Sequence, residues 1–150
     1  MFEGDPVMFA SRDGGEVKFQ SGQPRMDGGL RTAAFLSLWG GNKEDNGLRK
    51  NKKIWWGNRD ENNESYKYIS RFQNLITRIP LLPYNLRRLE ETAKADLIWM
   101  KTEKIISDIS VSGRIAAPKK LELTINYTAQ SGLIEQKYEI NWTDFSIEEL

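Results

Sequence analysis

Beyond Lys104 the apolar residues recur at every second position, and that period allows little besides half-buried β-strands. Ile109, Val111, Gly113 and Ile115 alternate with Ser110, Ser112 and Arg114. Leu121, Leu123, Ile125 and Tyr127 alternate with Glu122, Thr124 and Asn126, and Ile134, Tyr138, Ile140 and Trp142 with Glu135, Lys137, Glu139 and Asn141. Pro118-Lys119-Lys120 and Gln130-Ser131-Gly132 part the three runs with turn-forming residues. A three-stranded antiparallel meander follows. Such a sheet has one apolar face, so the preceding chain must supply a covering layer.

The sequence makes that layer helical. Asp27 is an N-cap ahead of Leu30, Ala33, Ala34 and Leu38 at helical spacing, and Gly40-Gly41 stops the run, which predicts a helix over about residues 28 to 39. Phe35, Leu36 and Trp39 spread apolar surface around most of its circumference, as expected of a helix covered on several sides. From Asn63 or Ser65, a second helix carries Tyr68 or Ile69, Phe72, Leu75 or Ile76, and Ile79 on one face and ends at Pro80. Pro83 opens a third, in which Leu86, Leu89, Ala93, Leu97 and Met100 follow at steps of three and four, with Glu90 four residues before Lys94 on the wetter side. Upstream, Val7 to Phe9 and Glu16 to Phe19 flank Arg12-Asp13-Gly14-Gly15, a hairpin signature, and Ser21 to Arg25 connects it to the first helix. The expected architecture is α+β: an N-terminal β-hairpin, three helices and the C-terminal three-stranded meander. With 150 residues, 39% of them hydrophobic, one domain over 1–150 is in range, comprising hairpin and lead-in (1–25), a long loop (41–63) and a tail (143–150) expected to form a short helical turn or to fray.

Composition narrows the chemistry. The chain has no cysteine and no histidine, which removes disulfides, thiolate metal sites, the cysteine nucleophile, the commonest general base and the commonest zinc ligand. No cofactor and no metal is expected, and enzymatic function becomes a minority reading. Lys and Arg total 22 against 21 Asp and Glu, so no global field draws the protein to nucleic acid or an anionic membrane. The start Met-Phe-Glu-Gly-Asp-Pro lacks the basic and apolar regions of a signal peptide, and no apolar run approaches a membrane span, so a soluble, unprocessed chain is expected.

One stretch does not fit a core. Leu48 to Asp60 sets Ile54, Trp55 and Trp56 inside a basic segment bounded by Gly and Asn, within a loop longer than compact domains usually tolerate without a function. In an extended segment neighbouring side chains face opposite ways, so one core buries one indole and leaves the other for a partner. Both rings folded under the loop as a satellite cluster is the alternative. The partner-binding residues read from this stretch are Arg49, Lys52, Lys53, Ile54, Trp55, Trp56, Gly57 and Asn58.

The order of elements, with Asp27-Gly28-Gly29-Leu30-Arg31-Thr32-Ala33-Ala34 opening the first helix, Trp55-Trp56-Gly57-Asn58 after a basic loop, Leu86-Arg87-Arg88-Leu89-Glu90-Glu91 and Leu97-Ile98-Trp99 in the long helix, and three alternating strands, resembles the baseplate protein family of Mu-like contractile-tailed phages. The similarity spans roughly residues 16 to 142. That family is in turn similar to the small baseplate wedge proteins of T-even phages, which join tail hub, wedges and first sheath ring. Where that family usually has an acidic residue after the glycine, this chain has Asn58. The resemblance implies a non-enzymatic structural component of a phage tail, prophage or injection system, whose partners are other wedge, hub or sheath proteins. It also implies assembly in the bacterial cytoplasm followed by residence in the virion tail.

Two other functional classes have candidate residues. Arg49, Lys50, Lys52 and Lys53 beside two tryptophans make a candidate single-strand nucleic-acid platform, although Asp60, Glu61 and Glu64 balance the charge. Glu90 with Glu91, or Glu135 with Glu139, are candidate carboxylate pairs for glycan hydrolysis, which needs a cleft and one raised pKa. Pro80-Leu81-Leu82-Pro83 reads as an interhelical connection before a polyproline ligand, and Gly28-Gly29 as a helix entry, not a phosphate cradle. An exposed edge of the meander is a further candidate contact, through strand addition.

Overall fold

The computed structural model describes residues 5–6, 8–11, 14–17, 19–24, 26–27, 30–40, 70–130 and 132–150. At the N-terminal end the backbone forms short strands β1 (Asp5–Pro6), β2 (Met8–Ser11), β3 (Gly14–Val17), β4 (Phe19–Gln20), β5 (Gln23–Pro24) and β6 (Met26–Asp27). They pair antiparallel, β1 with β6, β2 with β3 and β4 with β5. Arg12 and Asp13 of the expected hairpin turn lie outside the described residues, as do Gly28 and Gly29 at the expected helix entry.

Among the described residues three helices follow: α1 (Leu30–Trp39), α2 (Arg71–Ile76) and α3 (Leu86–Leu97). In α1 the side chains from Ala34 to Trp39 are all buried, which fits its wide apolar surface. Its last carbonyls are met by Ser70, whose hydroxyl donates to Ser37 O at 2.9 Å and accepts from Gly40 N at 3.1 Å. The helix expected from Asn63 or Ser65 to Pro80 is shorter where it is described: α2 begins at Arg71 after Ser70, whose φ of −95° and ψ of 83° are not helical, and ends at Ile76, while Tyr68, Ile69 and the expected start lie outside the described residues. Pro83 opens a 3-10 turn, Pro83–Asn85, that leads into α3, and Asn85 Nδ2 donates to Pro80 O at 2.9 Å, so Pro80 to Pro83 is a tight interhelical connection. Leu89, Ala93 and Leu97 of α3 are fully buried, and after Ile98 a further turn, Trp99–Thr102, adds buried Met100.

Among the described residues the C-terminal sheet has four strands, not three. β7 (Asp108–Ala117), β8 (Lys120–Ala129), β9 (Gly132–Asn141) and β10 (Ile147–Glu149) form the antiparallel order β10-β9-β8-β7. The tail expected to coil or fray instead supplies β10, because Phe145 and Ile147 keep the period of two and pack against the core while Glu148 points out. On β8, Leu121, Leu123, Ile125 and Tyr127 are buried, as their alternation requires, and they meet α1, α2 and α3 in one core.

α3 crosses β7 at Gly113. A methyl group there would lie 3.4 Å from Leu121 Cδ1 and 3.6 Å from both Glu90 Cγ and Leu86 Cδ2. Alanine is therefore expected to fit in ordinary contact, while Gly113→Val drives a branch into the helix and lowers stability by about 1 to 3 kcal/mol in urea melts.

Candidate functional site

Arg49, Lys52, Lys53, Ile54, Trp55, Trp56, Gly57 and Asn58 lie outside the described residues, with the rest of the loop 41–63. Among the described residues the feature best suited to contact another protein is the outer edge of β7.

Its geometry follows from the ladder. Trp142 N donates to Lys119 O at 2.7 Å, which makes 119 and 142 a hydrogen-bonded pair and, by alternation, puts 121, 123, 125 and 127 of β8 on the bonds to β9. Residues 122, 124 and 126 then bond to β7, where their partners are Arg114, Ser112 and Ser110. The N–H and C=O groups of Ile109, Val111, Gly113 and Ile115 are left facing away from the sheet. The structure agrees at one of them, since Ile109 N donates to the carboxylate of Asp108 at 2.9 Å instead of to β8.

Free edges are normally short, bulged, or interrupted by proline and lysine. β7 spans ten residues, holds neither proline nor lysine, and has its one register shift at its far end, between Ile115 and Ala117. At the opposite side of the sheet β10 is three residues long and lies beside β2. Val111 and Ile115 are half-buried where Leu121, Leu123 and Ile125 on the neighbouring strand are fully covered, so the edge also keeps apolar surface in water. The outward face of the strand carries Asp108, Ser110, Ser112 and Arg114, all exposed.

The carboxylate pairs are engaged elsewhere. Glu91 accepts from Arg87 Nε at 2.9 Å, Glu135 lies 3.6 Å from Lys137 and Glu139 3.3 Å from Lys120. Glu90 packs where α3 crosses Gly113. A shallow groove of about 470 Å³ is lined by Lys101, Lys104, Ile105, Ile106, Ser107, Ala129 and Gln130, and none of the four glutamates lines it. Among the described residues no group of three or more Asp and Glu could hold a metal ion, and no helix is long and apolar enough to cross a membrane.

Three buried polar groups escaped the sequence reading. Asp96 sits on α3 with its side chain wholly covered, and its Oδ2 accepts from Phe72 N at 2.7 Å, which caps α2 from a neighbouring helix. The spacing Leu89, Ala93, Asp96, Met100 is the signal for it, because steps of four, three and four place Asp96 on the buried stripe. Gln136 occupies an inward position of β9 and bonds the hydroxyls of Tyr127 and Tyr138. Glu149 of β10 pairs with Arg31 of α1 at 3.2 Å. Burial, with the charge of Glu149 adding to it, pushes the Tyr138 hydroxyl well above the usual tyrosine range, so it remains a neutral partner of Gln136. These groups tie elements together, and none of them lines the groove between Lys101 and Gln130.

Comparison with protein-family models, with curated proteins and with solved structures finds no match.

Proposed function

We propose that this chain is a structural component of a contractile phage tail baseplate, or of its counterpart in a prophage or injection system, acting through protein contacts and not through catalysis. Its partners in this reading are wedge, hub or sheath proteins, met after assembly in the host cytoplasm. The observation that supports it is the outer edge of β7, ten residues long and unpaired among the described residues, on a chain without histidine or cysteine. Main-chain pairing supplies affinity there without a pocket or a cofactor. The resemblance carried by Asp27 to Leu38 and Trp55 to Asn58 supplies the setting, with an N-terminal hairpin over Val7 to Phe19 as part of the same unit and the tryptophan loop as a second contact.

Val111→Pro tests the edge. The Val111 N–H faces away from β8, so proline removes no bond of the ladder, yet it deletes a donor and places a ring where an added strand would lie. The chain is expected to keep its circular dichroism and to lose co-purification with neighbouring baseplate proteins by about tenfold or more. Trp55→Ala and Trp56→Ala serve the loop in the same assay. Normal assembly by the folded proline variant would count against the edge, and normal assembly by both alanine variants against the loop.

A further inference from the structure

We propose that the outer edge of β7 pairs with the same edge of a second copy, antiparallel about Val111. The proposal rests on the reading of this edge as an interface and names what occupies it in the isolated protein.

Two copies related by a two-fold axis must pair so that opposite residue numbers have a constant sum. Only groups at 109, 111, 113 and 115 face outward, so odd-numbered residues must oppose odd-numbered ones; about Val111 this bonds Ile109 to Gly113 and Val111 to Val111 and sets Ile115 against Ser107, whose N–H is held by Thr128 O. Centring on Ser112 pairs all four outward residues among themselves but sets Asp108 against Ala116 and Arg114 against Ser110, so that no opposite charges meet. Centring on Gly113 sets Arg114 against Ser112 and Asp108 against Pro118. Centring on Arg114 brings like charges together. Centring on Val111 sets Asp108 against Arg114 of the second copy, and the symmetry makes this pair twice.

The same register sets Ser110 against Ser112, bulky Ile109 against Gly113 and Val111 against itself. Asp108 and Arg114 then form a non-hydrogen-bonded pair, the kind in which opposite side chains approach most closely. Both side chains are largely exposed, at 76% and 69%, and within its own chain Asp108 lies 3.8 Å from Lys101 Nζ, a pair the guanidinium of the second copy would share or replace. Arg114 already donates to Glu122 at 2.8 Å on its inner side and keeps further donors for a carboxylate on its outer side. Asp108 now turns back onto Ile109 N. In the pair that N–H goes to Gly113 O of the second copy, and the carboxylate is released to the guanidinium. The half-buried side chain of Val111 is covered at the same time.

Sedimentation of the full chain from about 1 to 500 µM is the measurement, in low salt where exposed charges act most strongly. The wild type is expected to show a concentration-dependent dimer. Asp108→Arg and Arg114→Asp, each setting like charges opposite, are expected to weaken it by about tenfold or more. The double variant with both changes is expected to recover most of the loss, since the opposed charges are merely exchanged. Circular dichroism of each variant shows that it has folded, and the folded Val111→Pro chain is expected to be monomeric. A wild type that stays monomeric over the whole range overturns the proposal, as does a double variant no more associated than the singles. A monomeric wild type whose Val111→Pro variant still loses its baseplate partners would overturn self-pairing alone. A swap-sensitive dimer whose proline variant co-assembles normally would instead overturn the assembly reading of the edge.

Discussion

Trp39→Ala is expected to lower the stability of the chain by about 3 to 5 kcal/mol, while Trp39→Phe lowers it by only about 1 to 2 kcal/mol. The indole is 7% exposed and stands where α1, α2 and the sheet meet. Its ring lies 4.8 Å from Tyr138 at 67°, 6.0 Å from Phe72 at 82° and 5.7 Å from Phe35 at 37°. The contacts with Tyr138 and Phe72 are edge-to-face and that with Phe35 is tilted; aromatic pairs add about 0.5 to 1.5 kcal/mol each beyond the area they cover, and alanine removes all three and leaves a cavity. Phenylalanine keeps a ring in the site. It also removes the Nε1 donor, which is buried without a hydrogen-bond partner among the described residues, so no bond is lost and the relief of that unpaired group offsets part of the missing volume. Against a usual total of about 5 to 15 kcal/mol, the alanine chain should be close to unfolding at room temperature. Urea melts give both numbers. Equal losses for the two variants would show that the indole N–H or its exact shape, and not aromatic packing, holds this corner.

The elements legible in the sequence were those whose packing follows a single period. Leu121 to Tyr127 alternate cleanly because β8 is a central strand with one covered face, and Leu89, Ala93 and Leu97 keep helical steps because α3 lies across that face. β10 was missed because three residues give an alternation too short to read, and its strand character comes from a tertiary neighbour, with Ile147 opposite Ile140. Asp96 and Gln136 were missed for a related reason. A polar residue on an apolar stripe looks like an interruption until its partner, here Phe72 N or two tyrosine hydroxyls, is known in space. As for function, the sequence pointed to the loop around Trp55 and Trp56. The edge of β7 was foreseen as a class of contact, but which strand is free and which backbone groups face out depend on sheet order and ladder phase, neither of which composition encodes.

Asp96 has the second large expected effect, and it appears as a function of pH. Burial pushes its carboxyl up to about 6, against the downward pull of the N–H groups of Phe72 and Arg71 and of the Arg71 guanidinium 3.7 Å away. In the unfolded chain the same group titrates near about 3.9. Between those values the folded state binds the extra proton, so the stability that Asp96 contributes is fully present below about pH 4 and is lost as pH rises through about 6. With the side chain wholly buried, two units correspond to about 2 to 3 kcal/mol. Asparagine keeps an oxygen for Phe72 N and cannot ionise, so Asp96→Asn should flatten this part of the profile. The comparison is the difference between wild type and variant in urea melts at pH 4, 5, 6 and 7, which cancels the carboxylates the two chains share. That difference should move in favour of asparagine as pH rises. Asp96→Ala behaves differently, since it leaves a buried N–H at the start of α2 without its acceptor and should cost about 1 to 3 kcal/mol more than asparagine at every pH. A difference between wild type and Asp96→Asn that stays constant from pH 4 to 7 would mean that water or the Arg71 guanidinium keeps this carboxylate ionised, and that the cap on α2 is a charged one throughout.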